Sequence, residues 1–148
     1  FQLVGVSEQR LMRPMAEALV RLKVRRGMVV HGCDGLDEVT TAGDTNVLTI
    51  HGDHITTSRL TPEQLGVPRA SLKELRGGGI AENTMRAHEV LSGTRSPALD
   101  LVAVNAGCAI YVAERAKSII EGVQKASEVL ATGAPLRLLE RVKVLSHA

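Results

Sequence analysis

His31-Gly32-Cys33-Asp34-Gly35-Leu36-Asp37-Glu38 follows directly on the apolar run Met28-Val29-Val30, and the join between the two decides how the chain is read. The apolar run has the brevity and β-branching of a buried strand. Open α/β sheets bind ligands just beyond the carboxyl ends of their strands, so the glycine-jointed acidic stretch is where a site is expected. Asp34, Asp37 and Glu38 crowd like charge into a short loop, which is costly unless a cation or a hydrogen-bond network offsets it. Magnesium suits hard oxygen ligands, takes one or two protein carboxylates, and completes its shell with water and substrate phosphate. The adjacent pair Asp37 and Glu38 fits that pattern. The competing reading is a solvated turn whose acids cap the next element.

Upstream of the loop, Gln2-Leu3-Val4-Gly5-Val6 reads as a strand. A helix capped by Ser7 follows, with Leu11, Met12, Met15, Ala18, Leu19 and Leu22 on one face and an end near Gly27. Strand, helix and strand within this span form a βαβ unit with parallel strands. Downstream, Asn46 to Ile50 and Ile55 to Leu60 alternate apolar and polar residues around a turn with Gly52 and Asp53 at its tip, a β-hairpin. His51 and His54 flank that tip as solvated residues rather than metal ligands. Thr61-Pro62-Glu63-Gln64 and Ser71-Leu72-Lys73-Glu74 are capping boxes that open short helices.

Gly77-Gly78-Gly79 precedes a helix over 80–91 that stops at Ser92-Gly93. The glycines can either cradle a phosphate with backbone N–H groups or join two helices flexibly, and Asn83 can reach back toward them. Pro97 starts a segment whose nearly continuous apolar stretch, Leu99 to Val112, suits a buried helix. Asn105, its polar exception, is expected to pin a neighbouring loop. Ser118 caps a helix to Leu130 that breaks at Thr132-Gly133, and Pro135 leads into a closing amphipathic helix to Val144. The expected fold class is α/β, a predominantly parallel sheet flanked by helices, with a β-hairpin and a helical C-terminal part.

Composition excludes several functions. The chain has 148 residues, with 18 basic and 16 acidic residues interspersed to a net charge of +2, so no electrostatic footprint for nucleic acid stands out. One Phe, one Tyr and no Trp leave no platform for stacking bases. No apolar run reaches the ~18 residues of a membrane span, and no membrane partner is expected. Cys33 and Cys108 lie far apart without metal-ligand or redox spacing, which suits free thiols in the cytoplasm. The chain opens at Phe1 on a strand-like run, so we expect the natural protein to continue upstream.

Val29-Val30-His31-Gly32 with Asp34-Gly35-Leu36-Asp37-Glu38 resembles the signature of anthranilate phosphoribosyltransferases. Gly52-Asp53, Leu60-Thr61-Pro62-Glu63 and Leu65-Gly66-Val67-Pro68-Arg69-Ala70 are similar to that family's segment after its hairpin. Leu75-Arg76-Gly77-Gly78 with Glu82-Asn83, then Leu91-Ser92-Gly93 with Val104-Asn105-Ala106, resemble its next two blocks. The resemblance implies transfer of a phosphoribosyl group from phosphoribosyl pyrophosphate to anthranilate in tryptophan biosynthesis, with magnesium held by Asp37 and Glu38. It implies a longer homodimeric enzyme of two domains, of which residues 1–148 are the C-terminal α/β domain. The family's Gly-Thr-Gly-Gly-Asp phosphate loop, its Lys/Asn/Arg substrate loop and its helical domain have no counterpart here, so this chain alone is expected to be inactive, and no catalytic residue is assigned to it. Two departures are visible: Cys33 within the loop, and Gly79-Ile80 where the family has an acidic residue and a Pro or small residue. A pyrimidine nucleoside phosphorylase and a non-catalytic binding module of the same fold remain the alternatives.

Overall fold

In a computed structural model describing residues 1–146, β1 (Gln2–Gly5) pairs in parallel with β2 (Arg26–Gly32), and α1 (Met12–Arg21) forms the crossover. The βαβ unit read from the sequence is present. Its helix begins differently: a single 3-10 turn, Gln9–Leu11, leads into α1 with no side-chain cap, so Ser7 does not cap it. Met12, Ala16 and Leu19 form the buried stripe, whereas Leu11, Met15 and Leu22 face solvent.

The sheet is mixed, which corrects the expectation of a predominantly parallel one. β3 (Thr45–His51) runs antiparallel to β2, and β4 (His54–Leu60) antiparallel to β3, in the order β1-β2-β3-β4. The reason lies in the connection. A parallel return needs a long crossover, usually helical, but residues 33–44 form tight turns without a helix, so the chain re-enters beside β2 in the opposite sense. The β3–β4 hairpin closes through His51 and His54, both exposed, with Gly52 at φ 57 supplying the left-handed turn.

β2 is buried on both faces, and its side chains alternate between two cores. Val29 joins Leu48 and Ile50 under α1 through Met12, Ala16 and Leu19. Met28, Val30 and Val47 face the other way, against Val104, Cys108 and Val112 of α4 (Pro97–Val112) and Val123 of α5 (Ile119–Ala131). α4 and α5 meet at backbone contact: a Cβ on Gly107 would stand 2.5 Å from Val123 N, and one on Gly122 2.3 Å from Gly107 O. Only glycines permit that approach.

The short α2 (Leu72–Leu75), then α3 (Ile80–Leu91) and α6 (Ala134–Ser146), complete the helical part. Both capping boxes form. Ser71 and Glu74 exchange bonds at the start of α2, while Thr61 and Gln64 do so ahead of a single 3-10 turn, Glu63–Leu65. Ser96 and Ser118 cap α4 and α5. No helix among the described residues is long and apolar enough to cross a membrane.

Candidate functional site: the acidic loop and its cleft

β2 delivers the loop, and hydrogen bonds shape it. His31, the last but one residue of β2, is buried and donates from Nδ1 to the Val6 carbonyl at 2.9 Å, tying the ends of both strands together. Gly32 N–H donates to Leu36 O at 2.8 Å and Gly35 N–H to Gly32 O at 2.9 Å, so the chain doubles back at once. Gly35 makes this possible at φ 96.

The three acids have separate places. Asp34 organises the loop: one carboxylate oxygen accepts Leu36 N–H at 3.2 Å and the other accepts the Thr40 hydroxyl. Thr40 in turn accepts Ala42 N–H at 2.9 Å and donates its own N–H to Thr45 Oγ1 at 3.0 Å, which welds the loop to the start of β3. Asp37 has an exposed side chain, and its backbone is pressed against β1, where a Cβ on Gly5 would meet the Asp37 carbonyl oxygen at 1.5 Å. Glu38 is half-buried. Burial is the main cause that raises its pKa, and the charges of Asp37 and then Asp34 add to it.

Asn105 on α4 does what its position suggested. Its Oδ1 accepts Val39 N–H at 2.9 Å and its Nδ2 donates to Val39 O at 2.8 Å, satisfying both backbone groups of a fully buried residue. The same Nδ2 stands 3.4 Å from Glu38 Oε2 and 2.9 Å from Leu101 O. The amide therefore sets where Glu38 emerges.

Glu38 opens into a cleft of about 660 Å³. Asp34, Gly35 and Leu36 of the loop also line it, with Leu101 of α4 and with Lys73, Arg76 and Gly77. Asp37 is not among the lining residues, so of the two predicted ligands only Glu38 lines this cleft. Among the described residues none of the loop's three acids forms an ion pair, and no three His, Cys, Asp or Glu side chains converge into a cage. An ion here would draw on one or two carboxylates and on oxygens brought by water or ligand, which is how magnesium is held. The donor set and its unneutralised charge fit that ion.

Several contributors were not evident from the sequence alone. Asp44 is gripped by Arg59 at 2.9 Å and by Arg69 at 3.1 Å, and its carbonyl accepts Cys33 N–H at 2.8 Å, so Arg69 steadies the loop's far end. Arg69 also binds Glu63, which drops that carboxyl to about 2. Cys33 is exposed and leaves the loop's acids in place, and Ile80, at 90% exposure, alters only the entry to α3.

Comparison with known proteins places this geometry. Residues 1–136 match the model described as glycosyl transferase family, a/b domain. The chain is 38% identical over 146 residues to anthranilate phosphoribosyltransferase of Citrifermentans bemidjiense (strain ATCC BAA-1014), covering 99% of this chain and 42% of that protein. The crystal structure of anthranilate phosphoribosyltransferase from Thermus thermophilus superposes with a TM-score of 0.89 at 42% identity, over 97% of this chain and 42% of that one. The Saccharomyces cerevisiae enzyme in complex with PRPP and Mg gives 0.83 at 28% identity, over 94% and 41%. The chain thus spans less than half the length of the relatives it matches. Fold, loop and match over most of its length together show that the chain belongs to the glycosyl transferase family, as its a/b domain.

Proposed function

We propose that this chain is the C-terminal α/β domain of a two-domain, homodimeric, cytoplasmic anthranilate phosphoribosyltransferase of tryptophan biosynthesis, and that Asp37 and Glu38 hold the magnesium that accompanies phosphoribosyl pyrophosphate. The observation that carries this reading is Glu38, a half-buried carboxylate with no cationic partner among the described residues, facing a cleft at the carboxyl end of β2. The relatives named above support the substrate assignment, since one is a complex with PRPP and Mg.

In the reaction the bond from the anomeric carbon to the diphosphate oxygen breaks, its electron pair leaving with the diphosphate. The amine nitrogen bonds to that carbon and gives up a proton. Negative charge grows on the leaving group, and bound magnesium supplies the compensating charge there. The chain's own residues make the site ready in advance. Asn105 holds the Glu38–Val39 segment, Asp34 and Thr40 fix the loop's curvature, and Gly5 lets Asp37 sit against the sheet. No protein nucleophile is needed, because the acceptor amine attacks directly.

The test is phosphoribosyl transfer to anthranilate, followed by the loss of its fluorescence, in the polypeptide that carries this domain together with its N-terminal half. Asp37→Asn and Glu38→Gln are each expected to lower kcat/KM by roughly a hundredfold, as loss of a charge-stabilising group does. Wild-type rates in both would remove the metal role. A chain that binds magnesium pyrophosphate yet transfers nothing in its full-length context would instead be a binding module.

A further inference from the structure

The loop's two proposed ligands are supported from different elements. Glu38 is set by Asn105 of α4, which holds the backbone of its neighbour Val39. Asp37 instead rests on β1. A Cβ on Gly5 would collide with the Asp37 carbonyl and stand 3.4 Å from its Cα, so the Asp37 main chain lies directly against the end of that strand. Side chains alternate along β1: Leu3 packs with the α4 cluster, Val4 and Val6 with the cluster under α1. The bare side of Gly5 is therefore turned toward α4, and Asp37 lies over it.

His31 holds the same strand end from the opposite face. In β2 it follows Val30, whose side chain packs toward α4, and so shares the α1 side with Val29. The ring is buried and has no part in the reaction steps above. Its Nδ1 stands 2.9 Å from the Val6 carbonyl oxygen; a carbonyl only accepts, so Nδ1 carries the proton. Val6 is buried as well, and its N–H donates to Val30 O at 3.0 Å. With its N–H and its carbonyl both anchored to β2, Val6 cannot swing, and Gly5 beside it keeps its place under Asp37. Beyond Val6 the chain leaves the sheet for the Gln9–Leu11 turn.

We propose that His31 is a positioning residue for Asp37: its bond to the Val6 carbonyl fixes the strand end on which the Asp37 main chain rests, and thereby the place from which that carboxylate is offered to a divalent cation. The proposal rests on the metal reading above and adds the support of its exposed ligand. It gives the ring no contact with substrate and no proton transfer. Each acid then has its own anchor, Asn105 for Glu38 from α4 and His31 for Asp37 from across β1.

The test uses the polypeptide that carries this domain together with its N-terminal half, with phosphoribosyl transfer to anthranilate measured as a function of magnesium concentration. His31→Gln is expected to raise the magnesium concentration for half-maximal rate roughly tenfold, as loss of a support behind a metal ligand does, while kcat at saturating magnesium stays near wild type. His31→Asn carries its N–H donor on Cγ, as histidine does, whereas the donor of Gln lies one atom farther out; Asn is expected to recover most of the loss. In an Asp37→Asn background His31→Gln is expected to add less than about twofold, because its effect is relayed through Asp37. Three results overturn the role: wild-type magnesium dependence in His31→Gln, a His31→Gln effect that is undiminished in the Asp37→Asn background, or a kcat that stays low in His31→Asn at saturating magnesium. Should His31→Gln fail to fold, His31→Asn carries the test, and a magnesium requirement as high as that of Asp37→Asn overturns the role. If Asp37→Asn itself keeps the wild-type magnesium dependence, the metal reading fails; if Asp37→Asn raises it and His31→Gln does not, the metal reading stands and the positioning role fails.

Discussion

Gly5→Ala is the sharpest test of how the loop is built. The added Cβ would sit 1.5 Å from the Asp37 carbonyl oxygen and 2.5 Å from its carbonyl carbon. Ordinary C···O contact begins near 3.3 Å, so something must yield by about 1.8 Å. The obstacle is backbone, and no side-chain rotation relieves it. β1 is held by its parallel register with β2, Gly5 opposite Val30, so the strain falls on the Asp37–Glu38 segment, which also hangs on Asn105. Overpacking of this kind costs about 3 kcal/mol, or roughly 10 °C in Tm for a chain of this length. Metal binding is expected to weaken with it, because the displaced backbone carries both proposed ligands. Gly43→Ala is the matched control: it lies against the same loop, but its Cβ would meet Asp34 at an ordinary 3.6 Å, and its Tm is expected to stay within about 2 °C of wild type. Thermal melting and manganese titration of both variants check the argument. A Gly5→Ala protein that melts and binds like wild type would refute the close approach of Asp37 to β1.

Asn105→Ala leaves the N–H and C=O of buried Val39 without their partner, and urea unfolding is expected to show a loss of about 2–4 kcal/mol. Glu38 carries a raised pKa when folded, so the folded state binds more protons than the unfolded one between the ordinary carboxylate value and the raised one. In the metal-free chain that contribution is present at acid pH and lost as pH rises through the raised value; Glu38→Gln is expected to flatten this part of the stability profile and to equal or exceed the metal-free wild type at pH 7. Magnesium is expected to stabilise the wild-type chain increasingly across the same rise in pH, with a Tm shift that vanishes in Glu38→Gln. Cys108 is fully buried and its thiol is pushed up to about 12, so a thiol reagent at pH 8 is expected to label Cys33 alone until denaturant is added.

The parts of the fold that sequence disclosed are those whose causes are local. The hairpin follows from alternation around Gly52-Asp53, and α2 from a capping box in which Ser71 and Glu74 are three residues apart. Asn105 was legible for a related reason, since an amide in an apolar helix must find partners, but that its partner is Val39 beside the acidic loop was not. What sequence hid depends on residues distant in the chain. The sense of β3 turns on the absence of a helix from residues 33–44. That Asp34 is a structural acid and Glu38 the cleft's acid depends on Thr40 and on α4.

Three neighbouring acids have thus been given three tasks by their surroundings. Asp34 has both oxygens occupied by donors and shapes the turn; Asp37 is exposed to solvent; Glu38 carries the cost of partial burial. That cost is informative, because the fold supplies Glu38 with one long amide contact and, among the described residues, no cation, although Arg69 pairs with both Asp44 and Glu63. A loop selected only for stability would pair or remove such a charge. Keeping it unneutralised beside a cleft couples the loop to whatever cation enters: occupancy lowers the Glu38 pKa and returns the desolvation cost as stability. Binding at Glu38 and the stability of residues 34–39 are then linked, through the bonds that Asn105 makes to Val39.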